Sequence, residues 1–409
     1  MQSFEELTLP PALRTALTAM KFTTPTPIQA QAIPDALNGR DILGTAMTGS
    51  GKTAAFCIPM IARMLSNSRG TALIMLPTRE LANQVEAVVK QLLGPYGTIK
   101  SALLIGGESM PNQQAQLRAR PRIIVGTPGR IIDHLQRGSL MLHDTSYLVL
   151  DETDRMLDMG FEDQILQILK YLPLQRQTLL FSATLPPQIL KLSEKYLKNP
   201  VRIEVGETNK AADRIEQKIL HVSADDKYNN LVREIKERDG TIIIFVKAKF
   251  ATEKLADRLK KSGFTADAIH GDLDQRHRER VLLAFREKKH RILVATDIAA
   301  RGLDIPHIEH VVNFDLPQAP EDYIHRIGRT GRAGADGSAI SFITPEDALK
   351  WRNIQKLMDP DAVLPPLPAG TSSAPQKRRG GSNRRRSGGS GGSGGGNRHS
   401  GPKKAASSF

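Results

Sequence analysis

The sequence predicts an α/β protein of two tandem domains with parallel sheets, followed by a disordered basic tail. Three observations predict it. Short apolar runs rich in β-branched residues alternate with amphipathic stretches of helical period. The alternation pauses once, at the polar and aperiodic GETNKAADR of residues 206–214. It ends before a Gly-, Ser- and Arg-rich segment beginning near residue 360, too poor in apolar groups to offset chain entropy.

In the first half, TALIMLP (71–77), SALLIGG (101–107), RIIVGT (122–127), YLVLDE (147–152) and QTLLFSAT (177–184) read as buried strands, being continuously apolar rather than alternating. Segments between them, such as RELANQVEAVVKQLL (79–93), read as crossover helices. After the pause the pattern restarts with KILHVS (218–223), TIIIFV (241–246), ADAIH (266–270), RILVATD (291–297) and HVVNFD (310–315), with helical stretches such as KFATEKLADRLKKSG (249–263) between them. The expected limits are a first domain over 1–205, a linker over 206–214, a second domain over 215–359 and a tail over 360–409. In such sheets the chemistry belongs to loops at the carboxyl ends of the strands.

Composition narrows the classes. A chain of 409 residues with 40% hydrophobic content supports two cores. The single Cys57 cannot form an internal disulfide, and Met1 to Leu9 carries two Glu where a signal peptide needs basic and then apolar residues. No stretch approaches the roughly 18 apolar residues of a membrane span. A soluble protein of a reducing compartment is expected, with no membrane contact. The net charge of +14 points to an anionic partner. Nine of the 57 basic residues fall in 362–409, which holds no Asp or Glu, so elsewhere 48 basic residues face 43 acidic ones. The excess therefore sits mainly in the tail, which reads as a nucleic-acid attractor or, alternatively, as a solubilising linker.

The strongest local signal is ILGTAMTGSGKTAAF (42–56), a strand entering a Gly-rich loop and then a helix. Gly49 and Gly51 let backbone N–H groups wrap phosphate oxygens at the positive end of the helix. Lys52 reaches the outer phosphates and Thr53 is a Mg²⁺ ligand. Ala46 stands where the generic pattern has its first glycine; Ala46, Met47, Thr48, Gly49, Ser50, Gly51, Lys52 and Thr53 together form the expected nucleotide cradle.

The run YLVL ends without a turn residue at Asp151-Glu152-Thr153-Asp154. Phosphoryl transfer needs a Mg²⁺ holder and a group that orients water beside the cradle. Asp151 is placed to hold Mg²⁺ through water, Glu152 to orient or deprotonate the attacking water, and Asp154 to brace a neighbouring loop. The alternatives are a Ca²⁺ loop, whose ladder of oxygen ligands is missing, or a solvated helix N-terminus.

With both sites in place, the chain resembles the DEAD-box RNA helicases of helicase superfamily 2. The resemblance spans about residues 4–350 and rests on AMTGSGKT (46–53), PTRELA (77–82), GG (106–107), TPGR (127–130), DETD (151–154), SAT (182–184), ATDIAARGLD (295–304) and HRIGRTGR (325–332), in family order. It implies two RecA-like domains, a helicase ATP-binding domain and a helicase C-terminal domain. Ala46 suits this family's loop. Thr153 departs from the family name, which implies Ala, so altered local packing is expected there and no lost chemistry.

The resemblance also implies roles. In KFTTPTPIQ, Phe22 would stack on adenine and Gln29 would read its edge, favouring ATP over GTP. Arg329 and Arg332 are similar in position to arginine fingers. His325, Arg301 and Asp304 would order the catalytic water and the ribose, and Ser182 and Thr184 would couple Asp154 to the other domain. RNA would lie across Arg79, Gly107, Thr127 and Arg130 on one side and Gly271 and Thr296 on the other, held mainly by phosphate and sugar. The 5% aromatic content fits backbone binding rather than extensive base stacking. The implied activity is RNA-dependent ATP hydrolysis with Mg²⁺, coupled to local separation of RNA duplexes. The alternative is an ATP-gated RNA clamp or remodelling platform; a DNA translocase is disfavoured by Phe22, Gln29, TPGR and HRIGRTGR together. Short flanks and one basic tail resemble cytoplasmic bacterial members linked to ribosome assembly or RNA decay.

Overall fold

The computed structural model of the chain describes residues 1–46, 49–94, 99–205, 215–300, 307–331, 337–359, 361–362 and 364. The expected linker and nearly all of the expected tail lie outside them. The described residues belong to one compact unit, Met1–Thr371. It contains two sheets.

The first sheet holds β1 (Ile42–Ala46), β2 (Thr71–Met75), β3 (Ser101–Leu104), β4 (Ile123–Gly126), β5 (Thr145–Leu150), β6 (Gln177–Ser182) and β7 (Val201–Val205), in the order β3-β4-β2-β5-β6-β1-β7. The second holds β8 (Ile215–His221), β9 (Ile242–Phe245), β10 (Ala266–Ile269), β11 (Ile292–Ala295), β12 (His310–Asn313) and β13 (Gly337–Ile343), in the order β10-β11-β9-β12-β13-β8. Every neighbouring pair is parallel. The α/β, parallel-sheet reading therefore holds, and two strands are added to it. β7 (VRIEV) has charged residues at every second position, and β13 (GSAISFI) is diluted by Gly and Ser, so neither shows the continuous apolar run that marked the others.

Burial on both faces explains why the strands read as apolar runs. Along β5, Tyr147 and Val149 enter one core while Leu148 and Leu150 enter the other. The same two-sided division gives the second sheet two cores of its own. Helices cover both faces, as parallel crossovers require. Among the described residues, no helix is long and apolar enough to cross a membrane.

Strand order also decides which loops meet. β6 lies between β5 and β1, with Thr45 opposite Ser182 and Leu150 opposite Leu180. The Gly-rich loop after β1 and the carboxylates after β5 thus leave the same sheet edge about 10 Å apart, two strand spacings. The other half of that edge, from β3, β4 and β2, carries Gly107, Thr127 and Arg79.

Candidate active site

The cradle forms where β1 ends. Gly49 and Gly51 have φ of 86° and 92°, in the left-handed region, and Gly51 caps the helix Lys52–Ser66. A Cβ on Gly51 would fall 2.5 Å from Gln29 Nε2, so the position also lacks room for a side chain. Lys52 is buried and its Nζ donates to the Ala46 carbonyl at 2.5 Å, folding the ammonium back over the loop. Thr53 lies in the first turn of that helix. Met47 and Thr48 lie outside the described residues.

Gln29 is buried beside this loop. Its Oε1 accepts from Thr26 N at 2.9 Å and its Nε2 donates to the Gly51 carbonyl at 3.1 Å. One further amide hydrogen stays uncommitted in that pair of contacts. Phe22 is half-buried, edge-on to Phe4 with ring centroids 5.4 Å apart.

The carboxylates after β5 are held by backbone geometry. The chain turns from strand into the helix Thr153–Asp158 on Glu152, at φ 51° and ψ 48°. A left-handed residue other than glycine is strained by roughly 1–3 kcal/mol, and such strain collects at functional sites. Here it stands where the sequence offered no turn residue. Asp151 Oδ1 accepts from Glu152 N at 2.9 Å. Burial pushes the Asp151 carboxyl up to about 6, against the pull of Lys52, with Glu152 adding to the rise. Glu152 goes the other way. Burial would raise it, but Arg155, Lys52 and Arg329 outweigh that and hold it below the ordinary carboxylate value. Two adjacent carboxylates are thus pushed apart, which separates their chemical roles.

Asp154 is fully engaged. Its Oδ2 accepts from Ala183 N, Thr184 N and Thr184 Oγ1 at 3.0, 3.0 and 3.1 Å, and its backbone N–H donates to Ser182 Oγ at 3.3 Å. Thr153 is buried, and its hydroxyl lies 3.3 Å from the Leu150 carbonyl and 3.2 Å from the Phe181 carbonyl. One proton shared between two strands is what the hydroxyl adds over Ala.

The second sheet reaches this site through a residue absent from the sequence-based set. Arg155 Nη1 donates to Glu152 Oε2 at 2.8 Å, and its Nη2 lies 3.1 Å from His325 Nδ1, 170 positions along the chain. Arg329 is buried on the same side, near enough for its charge to depress Glu152. A second missed residue, Arg326, donates from Nε and Nη2 to both Asp297 oxygens at 2.6 and 2.8 Å and from Nη1 to Asn313 Oδ1 at 3.1 Å. Both arginines stand inside or beside quoted motifs, but nothing in the sequence names their partners. Arg301, Asp304 and Arg332 lie outside the described residues.

On the other half of the edge, Arg79 lies against Gly106 and Gly107. A Cβ on Gly107, whose φ is 80°, would run into Arg79 Nη1. Thr127 is buried at the start of the helix Pro128–Gln136, and Arg130 Nη1 donates to the Glu108 carbonyl at 3.3 Å. Arg79 Nη1 lies 3.5 Å from Gln275 Oε1, and Glu80 forms a buried ion pair with Arg278 at 2.6 Å, so this edge too meets the second sheet. Gly271 follows β10 and Thr296 follows β11, on the facing edge. The structure thus brings the described candidate residues into two neighbouring groups.

Known proteins resemble this chain over most of its length. A family profile described as DEAD/DEAH box helicase matches residues 26–192, and one described as Helicase conserved C-terminal domain matches 226–334. The chain is 43% identical over 358 residues to "DEAD-box ATP-dependent RNA helicase CshA" of Geobacillus kaustophilus, covering 87% of this chain and 76% of that protein. It is similar to the structure "S. cerevisiae Dbp5 bound to RNA and ADP BeF3", with a TM-score of 0.79, 35% identity, and coverage of 88% of this chain and 94% of that one. A structure of Mss116p bound to ssRNA and AMP-PNP gives a TM-score of 0.79 at 32% identity, covering 86% and 76%.

Proposed function

The chain belongs to the DEAD-box family of ATP-dependent RNA helicases, and on that premise we propose that its ATP site is completed only when the two sheets meet across the Glu152–Arg155–His325 chain. That bridge carries the proposal. It joins the water-orienting carboxylate to the second sheet through one planar guanidinium. Hydrolysis would then be fast only in the arrangement that also aligns the two RNA-facing edges, which couples ATP turnover to strand separation.

Within this reading, the half over 1–205 binds ATP and the half over 215–359 completes the site, joined by 206–214. Phe22 and Gln29 receive the adenine, and Lys52 the outer phosphates. Glu152, ionised at neutral pH because Arg155 and Lys52 outweigh its burial, orients and accepts a proton from water. Arg329, with Arg332, stabilises transition-state charge. Asp154 with Ser182 and Thr184 fixes the loop after β6, and Arg301, His325 and Asp304 order water and ribose. Thr53 and Asp151 suit Mg²⁺: both offer hard oxygens, and a carboxylate pushed up to about 6 by burial gains from a neighbouring cation. Bound Mg²⁺ would neutralise phosphate charge in the transition state.

RNA takes the other edge, from Arg79, Gly107, Thr127 and Arg130 across to Gly271 and Thr296. The TM-score of 0.79 over 88% of the chain supports this, because either half alone spans too little of the chain to reach it and both must superpose together. The partner is RNA backbone, and a cytoplasmic place in ribosome assembly or RNA decay belongs to the same proposal.

A second reading, the ATP-gated clamp, is favoured by the buried Glu80–Arg278 pair, which holds the halves together beside the RNA edge. Comparing the rate of strand release with that of ATP turnover decides between the two. The main reading is tested by separating its parts. Glu152→Gln should keep ATP and RNA binding while hydrolysis falls by roughly two orders of magnitude or more. Lys52→Ala should weaken ATP binding itself. Equal loss of ATP affinity in both variants would refute the assignment.

A further inference from the structure

Phe250 is 77% exposed, against 47% for Tyr171, the other exposed large aromatic among the described residues. A lone exposed apolar side chain is ordinary. Its place in the fold is what distinguishes this one. β10, β11 and β9 are consecutive and parallel, so the residues after each leave on one edge. Gly271 follows β10, Thr296 follows β11, and Phe250 follows β9, in the first turn of the helix Lys249–Lys261.

That turn leans on the Gly271 loop. Lys249 Nζ holds Asp272 Oδ1 at 2.6 Å, and Lys249 Cε lies 3.8 Å from where a Gly271 Cβ would stand. The helix buries Thr252, Leu255, Ala256 and Leu259. At about 100° per residue these centre on the face opposite Phe250, which therefore looks outward, with Glu253 and Lys254 one turn on and Asp257 a turn beyond them. Lys247 and Lys249 flank it, both exposed. An exposed aromatic ring with Lys247 and Lys254 near it on an RNA-facing edge has the chemistry of a stacking platform: the ring takes a base face and those two ammonium groups take phosphates, while Lys249 stays with Asp272.

We infer that Phe250 stacks on one base of the RNA strand held across this edge. The inference rests on the RNA reading above and deepens it. It adds a single contact that is indifferent to base identity to a set of backbone contacts, and the low aromatic content argued only against extensive stacking.

The test measures affinity of the full chain for a single-stranded RNA ten-mer in the presence of a non-hydrolysable ATP analogue. Phe250→Ala should weaken binding by about five- to 150-fold, the range for losing one base–aromatic stack. The salt slope should not change, because no charge is removed. Phe250→Trp should restore affinity. In a series of ten-mers with one abasic residue moved along the strand, one position should weaken the unaltered chain and leave Phe250→Ala indifferent. The inference is overturned if Phe250→Ala binds as tightly as the unaltered chain, an outcome that would give the ring to a protein partner. It is equally overturned if Phe250→Ala loses the same factor at every abasic position, or if Phe250→Trp binds no better than Phe250→Ala. No binding by the unaltered chain would instead overturn the RNA reading beneath it.

Discussion

Asp151→Asn should make the protein more stable at neutral pH while abolishing turnover. Asp151 is 2% exposed, and burial moves its carboxyl from an ordinary 3.8 up to about 6. Unfolded, the side chain ionises near 3.8; folded, it keeps its proton until about 6. The folded state therefore binds more protons between those values, so stability is fully present below 3.8, falls as pH rises through about 6, and levels off above. At about 1.4 kcal/mol for each tenfold in proton affinity, the ionised carboxylate costs the ligand-free fold about 3 kcal/mol at pH 8. Asparagine keeps the shape, and its oxygen still accepts from Glu152 N–H, but it carries no charge. The variant should thus exceed the unaltered chain by roughly 3 kcal/mol at pH 8, with the margin about halved at pH 5. Chemical denaturation of nucleotide-free protein in chelator, across that range, reads the margin directly. A margin that does not vary with pH, or a variant less stable at pH 8, would sink the reasoning.

Two further outcomes follow from the same loop. Arg155→Ala strands the buried Glu152 carboxylate, which should cost about 3–5 kcal/mol and move the acidic limb of the pH–rate profile upward, since the cation that held Glu152 low is gone. Arg155→Lys should recover stability but not RNA-stimulated turnover, because a lysine cannot span Glu152 and His325 together; full turnover in that variant would refute the bridge. Thr153→Ala removes the proton shared by the Leu150 and Phe181 carbonyls and should cost about 1 kcal/mol in unfolding measurements with turnover within about twofold. A large loss of turnover there would show that Thr153 does more than pack.

The sequence by itself determined the parts whose physics is local. A glycine that must adopt positive φ, a lysine one residue later at a helix start, and acids at the end of an apolar run are contiguous, so Gly51, Lys52, Asp151 and Glu152 could be read directly, and the order of the remaining motifs named the family. The alternation of strand and helix likewise fixed the parallel-sheet class, because it depends on period and crossover length. Strands β7 and β13 escaped because their polar and small residues carry no such period. Only the tertiary structure decided what joins across distance. That Arg155 links Glu152 to His325, that Arg326 grips Asp297, that Arg278 pairs with Glu80, and that Gln29 donates to the Gly51 carbonyl all depend on how the elements pack, which brings together residues up to 198 positions apart. The same holds for Phe250. Its apolar chemistry fitted a core as well as a surface, and only the face that its helix turns toward the second sheet left the ring in water beside Gly271.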